Sequence, residues 1–297
     1  MVRKNSMFGP NTYFEDNVNI SYSHRDKQFF ELFDKTRELF SEIFQLKDYD
    51  ILFILGGGTT GVESLFYSCK RKINLIGVNG FFKDRWEKMS KNYYKSSNKS
   101  PFEMYCRLET SCSTAYEKQG CFIDAVSAFP YYSIPKDTLG FVTCLNKQLG
   151  SYIGLAVVGI RKDMWDEFVD EDEVSYLNLA RYKKYHLISQ TPFTTPTYIY
   201  EHFYKVLYEF NIDKFKDRLD QVSDMIVNTI GKENIIGELR GPVITFKKGS
   251  IPEEFARKYN IYGYWTKRPH YQIFTYTDKV ENYKKVMIEL NRYRNGK

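Results

Sequence analysis

FIDAVSAFPYYSIPKDTLGFVTCLNKQLGSYIGLAVVGI, residues 122–160, sets two charged groups at the ends of apolar runs. Asp124 leaves a run that reads as a buried strand, and Lys147 lies between two further strand-like runs. Asn146 and Gln148 flank the lysine and Gly150 follows it, so it sits in a turn from which its amine can face a cleft. An Asp at a strand end and a Lys in a turn are common in α/β proteins, where most are solvated charges. A second stretch upstream lifts this pair above that background.

That stretch is ILFILGGGTTGVESLFYSC, residues 51–69. A strand over 50–55 runs straight into Gly56-Gly57-Gly58-Thr59-Thr60-Gly61, and the residues that follow have helical character. Strand, glycine turn and helix amino terminus make an anion site: small residues let backbone N–H groups approach a phosphate, and the helix dipole favours its charge. No Gly-Lys-Ser/Thr closes the loop and the GxGxxG spacing is absent, so the phosphate need not belong to a nucleotide.

The other elements alternate in type. Phe29, Phe30, Phe33, Leu39, Phe40 and Ile43 keep helical spacing from Lys27 onward, with a helix start near Ser23 or Asp26. Residues 72–80 read as a buried strand, followed by a helix opened by Phe81 and Phe82, with Phe82 at the carboxyl end of its strand, where α/β sheets bind ligands. Residues 104–110 form a third candidate strand. A helix is expected in RKDMWDEFVDEDEV, a loop then a helix from SQTPFTTP, and from 212 onward a helix, a strand, a helix, a strand pair around YWTKRPHYQIFTYT and a last helix. The predicted organisation is an amino-terminal arm over 1–14 with a turn at Gly9-Pro10-Asn11, a large domain over 15–210, and a small α+β domain over 211–297.

Composition narrows the class. The 297 residues suffice for a large core, and 43 basic against 37 acidic residues leave a net charge of +6 spread along the chain, an argument against a nucleic-acid partner. Cys69, Cys106, Cys112, Cys121 and Cys144 are odd in number, without a CxxC or a partnering His cluster, so neither a disulfide framework nor a metal site is indicated. A cytoplasmic setting is expected. No apolar run is long enough to span a bilayer, so no membrane partner is expected.

In chain order, GPN near the start, SHRDKQF, GGGTTGVE, NGFFKDRW, LETS, DAVSAF, LNKQLG and QTPFTTP resemble the class V, fold type I aminotransferases that use pyridoxal 5′-phosphate (PLP), closest to the 2-aminoethylphosphonate transaminase branch. The resemblance implies a mostly parallel sheet sandwiched by helices, with a smaller carboxyl-terminal α+β domain. It implies that Lys147 forms the Schiff base with the cofactor and moves the proton at the substrate carbon, and that Asp124 pairs with the pyridine nitrogen. Gly57, Gly58 and Thr59 would hold the phosphate, Phe82 would stack on the ring, Thr110 would lie near the phenolic oxygen, and Asn146 would border the cofactor. Thr194 would reach the phosphate of a neighbouring subunit's cofactor, which implies a homodimer.

Departures from the pattern fall on the substrate side. Where the family carries a carboxylate-clamping arginine in a Phe-Arg-Ile-Gly context, this chain reads Tyr271-Gln272-Ile273-Phe274. Arg268 or Lys267 is a candidate substitute, and His24 and Arg25 resemble residues that contact a substrate's distal anion in phosphoserine aminotransferase relatives. Only 12 residues, 112–123, separate LETS from Asp124, fewer than in relatives. The expected activity is amino transfer from a small anionic amine or amino acid, 2-aminoethylphosphonate-like, to a 2-keto acid such as pyruvate. Gln272 keeps two alternatives open, a PLP-dependent lyase or decarboxylase and a non-catalytic relative.

Overall fold

The computed structural model describes residues 23–93, 98–170, 172 and 174–294. The amino-terminal arm expected over 1–14 lies outside them. In chain order the elements are α1 (Lys27–Ile43), β1 (Tyr49–Leu55), α2 (Gly58–Ser68), β2 (Ile73–Ile76), α3 (Phe81–Ser90), β3 (Phe102–Cys106), β4 (Leu108–Glu109), β5 (Thr114–Ala115), β6 (Phe122–Asp124), β7 (Gly140–Cys144) and β8 (Leu155–Arg161). There follow α4 (Leu179–His186), α5 (Thr197–Glu209), α6 (Ile212–Ile230), β9 (Ile235–Ile236), β10 (Val243–Lys247), α7 (Glu253–Lys258), β11 (His270–Phe274) and α8 (Val280–Arg294). Residues 23–109 with 116–210 form one compact unit, and 110–115 with 211–294 form another.

In the first unit a six-stranded sheet runs in the order β1-β8-β7-β6-β3-β2. β2, β3, β6 and β7 are parallel neighbours, while β8 is antiparallel to both β7 and β1. The carboxyl ends of β1, β2, β3, β6 and β7 therefore share one edge. The chain crosses from β1 at one side of the sheet to β2 at the other, and ligands bind α/β sheets beyond such carboxyl ends.

Both faces of the sheet are covered. Side chains alternate along β1, so Ile51 and Phe53 join a core with Phe29, Phe33, Phe40, Tyr200 and Phe203 from α1 and α5. Leu52 and Ile54 face the opposite way and join Val62, Leu65, Trp86, Leu179 and Tyr182 from α2, α3 and α4. This is the sandwiched, mostly parallel sheet expected of fold type I. In the second unit α6 and α8 bury Val222, Ile226, Tyr283 and Met287 with Ile244, Phe246 and Ile273 of the three-stranded sheet β11-β10-β9.

Local departures from the expected elements have local causes. The helix expected in RKDMWDEFVDEDEV is a short 3-10 segment, Lys162–Glu167. Beyond it the backbone is drawn to the end of α2, where Phe168 bridges Cys69 and the Val169 N–H donates to the Ser68 carbonyl at 2.8 Å. α4 has only eight residues, too few to show a period, and Asn178 caps it by accepting from the Arg181 N–H at 3.1 Å. The strand over 104–110 divides at Arg107, whose N–H donates to the Asp124 carbonyl at 2.8 Å. The strand pair near 264–277 is β11 alone, with an isolated Tyr262–Gln272 bridge.

α4 ends on a histidine buried against aromatic rings. His186 is 2 % exposed, and its ring lies 4.7 Å from Phe33 and 6.0 Å from Tyr182. Burial, reinforced by the Arg37 charge, pushes its pKa down to about 3. The unfolded-chain imidazole takes up a proton below about pH 6.5 while the folded one stays neutral, so His186 costs stability as pH falls from about 6.5 toward about 3. His186→Phe is expected to lose several degrees less in Tm than the unaltered chain between about pH 7 and about pH 5, read by thermal melts. Equal losses would mean that the imidazole titrates normally.

Candidate active site

The carboxyl edge of the large sheet gathers its polar groups around one cavity of about 180 Å³. Gly57, Gly58, Thr59, Phe82, Asp124, Asn146 and Lys147 line it, together with Trp86, Ser127 and Cys144. Each arrives from a strand end. Gly57 to Thr59 follow β1 and open α2, Phe82 follows β2 in the first turn of α3, Asp124 ends β6, and Lys147 lies in the turn after β7. Because β6 and β7 are parallel neighbours with Asp124 opposite Val142, the lysine turn emerges beside the carboxylate.

α2 presents its amino terminus to this cavity. Its first N–H groups have no intrahelical acceptor by construction, and the helix dipole adds positive potential there. Gly56 takes φ +115°, a left-handed conformation that favours glycine. A Cβ on Gly58 would stand 2.5 Å from Val126, and one on Gly61 would stand 2.6 Å from Val142, so glycine is what lets α2 lie this close. A Cβ on Gly57 would meet nothing within 4 Å, which leaves open space where the helix N–H groups point outward.

Asp124 is 7 % exposed, and burial pushes its pKa upward. Opposing that shift, the Val126 N–H donates to Oδ1 at 2.9 Å, the Trp86 indole N–H donates to Oδ2 at 2.7 Å, and the Cys106 thiol donates to Oδ2 at 3.6 Å. The Lys147 amine donates to Ser127 Oγ at 2.7 Å and lies 5.8 Å from the centre of the Phe82 ring. Phe82 itself is held by its backbone. The buried Glu109 carboxylate accepts from the N–H groups of Phe82 at 3.0 Å and Lys83 at 3.2 Å, capping α3 where Gly80 offers no side chain.

Other expected site residues lie elsewhere. Thr194 is exposed in the loop before α5. Arg25, at the entry to α1, donates to the Gln190 side-chain carbonyl at 2.8 Å, and burial shifts the neighbouring His24 pKa downward. Thr110 and Gln272 meet within the second unit. Gln272, 3 % exposed, donates through Nε2 to the Thr110 carbonyl and to Thr245 Oγ1, the latter at 2.9 Å. Arg268 is half-buried near the start of β11, its N–H donating to Thr266 Oγ1 at 3.3 Å.

Trp86, Cys106, Ser127 and Glu109 are site residues that the sequence did not disclose. Trp86 alone carried a signal, standing four residues after Phe82 on one helix face.

In fold, the sheet with its covering helices matches solved structures of aminotransferases. The chain is similar to the aspartate aminotransferase of subgroup IV from Thermus thermophilus, with a TM-score of 0.79, 16% identity, and coverage of 96% of this chain and 99% of that one. It is similar to alanine–glyoxylate aminotransferase from Nostoc sp. (TM-score 0.76, 15% identity, 98% and 97% covered) and to phosphoserine aminotransferase from Cytophaga hutchinsonii (0.75, 16%, 91% and 90%). No family profile matches the sequence, and no curated protein matches it.

The close seating of α2 is testable. Gly58→Ala is expected to destabilise by about 1–3 kcal/mol through the clash with the stiff Val126 side chain, read by denaturant unfolding. Adding Val126→Ala should recover part of that loss, whereas Gly57→Ala should leave stability within about 1 kcal/mol of the unaltered chain.

Proposed function

We propose that this chain is a PLP-dependent aminotransferase. The observation that carries the proposal is the convergence on one cavity of a buried carboxylate, a lysine amine, an aromatic ring and a helix amino terminus. These donors and acceptors fit PLP group by group: Asp124 for a protonated pyridine nitrogen, Lys147 for the aldehyde, Phe82 for the ring face, and the N–H groups of Gly58 and Thr59 for the phosphate. A phosphoserine aminotransferase from Trichomonas vaginalis of the same fold (TM-score 0.73, 17% identity) has been solved with PLP bound.

When bound, PLP supplies an aldehyde that reacts with amines and a ring that accepts electron density from the substrate carbon. The chain's residues divide the remaining work. Asp124 would hold a proton on the ring nitrogen through its negative charge, and the hydrogen bonds it accepts keep it oriented. Lys147 would be the residue to hold the aldehyde and to move the proton at the substrate carbon, and its amine is positioned at the cavity by its hydrogen bond to Ser127 Oγ. Phe82 and the apolar wall of Val126 and Leu108 exclude water from one side.

For the substrates we propose a small amine or amino acid bearing an anionic group, 2-aminoethylphosphonate-like, and a 2-keto acid such as pyruvate. The resemblance of Ser23-His24-Arg25 to an anion-contacting motif supports this choice, with the Arg25 guanidinium directed to a neutral amide rather than a carboxylate. A cytoplasmic homodimer completes the proposal: Thr194 is exposed, and none of the described helices is long and apolar enough to cross a membrane. Gln272 favours a second reading, a lyase or decarboxylase, because the residue in the arginine position spends its amide on Thr110 and Thr245.

PLP added to the purified protein is expected to give a visible absorbance band, and borohydride treatment should fix one cofactor on the peptide containing Lys147, detected by mass spectrometry. Lys147→Ala should lose both signals. With no acceptor present, one equivalent of keto product or aldehyde per site should form from the true donor, screened among 2-aminoethylphosphonate, phosphoserine, alanine, glutamate and aspartate. Lysine modification without any such product, accompanied by carbon dioxide or elimination products, would select the second reading instead.

A further inference from the structure

Helix α3 reaches the cavity at two levels. Phe82 in its first turn stands beside Lys147, and Trp86, one turn further along the same face, hydrogen-bonds the Asp124 carboxylate. Trp86 is 2 % exposed and Cys106 4 % exposed, so both donors to Oδ2 act in a water-poor surrounding where such bonds are strong. The capping of α3 by Glu109 fixes the height of the helix along the sheet edge. The indole can only donate, and an ionised carboxylate can only accept, so the contact has one polarity. With Val126 on Oδ1 and Trp86 and Cys106 on Oδ2, three of about four acceptor positions of the carboxylate are occupied from within the protein.

We infer that Trp86 is a positioning residue for Asp124, its indole N–H aiming the carboxylate at the cavity and holding it in the ionised form that a cationic ring nitrogen needs. The inference rests on the PLP reading of the cavity. Cys106 is the lesser support: burial and the Asp124 charge push its thiol well up, so it remains a neutral, weak donor. The other ionisable groups around the carboxylate are Lys147, whose charge favours the ionised form, and Cys144, kept neutral by burial. Glu109 adds its charge near Cys106.

The indole tie predicts a displaced titration. Removing a hydrogen bond to a buried charge raises the carboxyl pKa by about one unit, since such bonds are worth roughly one pKa unit or more. In Trp86→Phe, which keeps a ring of similar shape, the acid-side midpoint for loss of PLP affinity should move up by about one pH unit, with affinity near neutrality reduced several-fold. Affinity is read by absorbance or fluorescence titration across pH. Independently of the cofactor, one of the three tryptophan indole N–H resonances of the apo protein should shift with the Asp124 titration, vanish in Trp86→Phe, and lose its pH dependence in Asp124→Asn.

Should Trp86→Phe fail to fold, the resonance in the unaltered chain and in Asp124→Asn still decides the matter. An indole resonance insensitive to both pH and Asp124→Asn overturns the inference, as does a folded Trp86→Phe with an unmoved affinity midpoint. Absence of PLP binding by the unaltered protein overturns the functional reading and the role of Trp86 with it. PLP binding that is normal in the unaltered chain and unchanged in Trp86→Phe overturns this inference alone.

Discussion

A carboxylate taken out of water must be given donors or a counter-charge, and Asp124 imposes that requirement on everything near it. Its burial at the end of β6 would cost several kcal/mol if its oxygens went unpaired. The backbone turn after it supplies the Val126 N–H, the neighbouring β3 supplies Cys106, and α3 supplies the Trp86 indole. A further contribution comes from the charge of Lys147. The lysine in turn is tied to Ser127, three residues beyond Asp124, so both members of the pair are referenced to one short segment of chain. Rotation of Asp124 would break buried hydrogen bonds, and rotation of Lys147 would break its bond to Ser127 at the cavity wall.

The same segment also sets how close α2 can come. Val126 is the side chain that a Cβ on Gly58 would strike, and Val142, one strand over, is the one that a Cβ on Gly61 would strike. Two missing methyl groups therefore seat the helix against the turn after β6 and against β7 and β8, and its amino terminus lies at the cavity. Anion affinity at a helix terminus falls off within a turn, so this approach distance matters chemically as well as sterically. The glycine turn and the Asp124 turn are thus two halves of one packing solution.

That coupling explains what the sequence disclosed. Asp124, Lys147 and Gly57 to Thr59 were legible because each sits where an apolar strand stops, and a polar or glycine residue at a strand end has a local signature. Individual strands and helices were legible from short apolar runs and helical periods, whereas the sandwiched, mostly parallel sheet was implied by the family resemblance. Trp86, Cys106, Ser127 and Glu109 were not, because their roles are written through space: their partners lie 38, 18, 20 and 27 residues away along the chain. An indole or thiol in an apolar-looking helix or strand reads as core until the carboxylate it touches is known. α4 was missed for a different reason, brevity, and with it the buried His186 at its end.

Gln272 shows what a single neutral side chain does at a buried position of the second unit. A guanidinium here would bring a charge into a position 3 % exposed among neutral acceptors, a costly burial without a carboxylate. The amide of Gln272 suits those acceptors, with one nitrogen serving both the Thr110 carbonyl and Thr245 Oγ1. Ser113 Oγ bonds Thr245 Oγ1 at 2.8 Å and the Val243 carbonyl at 3.0 Å, so the segment 110–115 is stitched to β10 and β11 by a chain of uncharged groups. Gly237 completes the seat, since a Cβ there would collide with the carbonyls of Cys112 and Ser113. The position that resemblance assigns to ligand recognition is here absorbed into holding the chain's own backbone. Arg25 differs in kind: it is exposed, with its guanidinium donating to the Gln190 side-chain carbonyl, whereas the Gln272 amide is spent inside the unit.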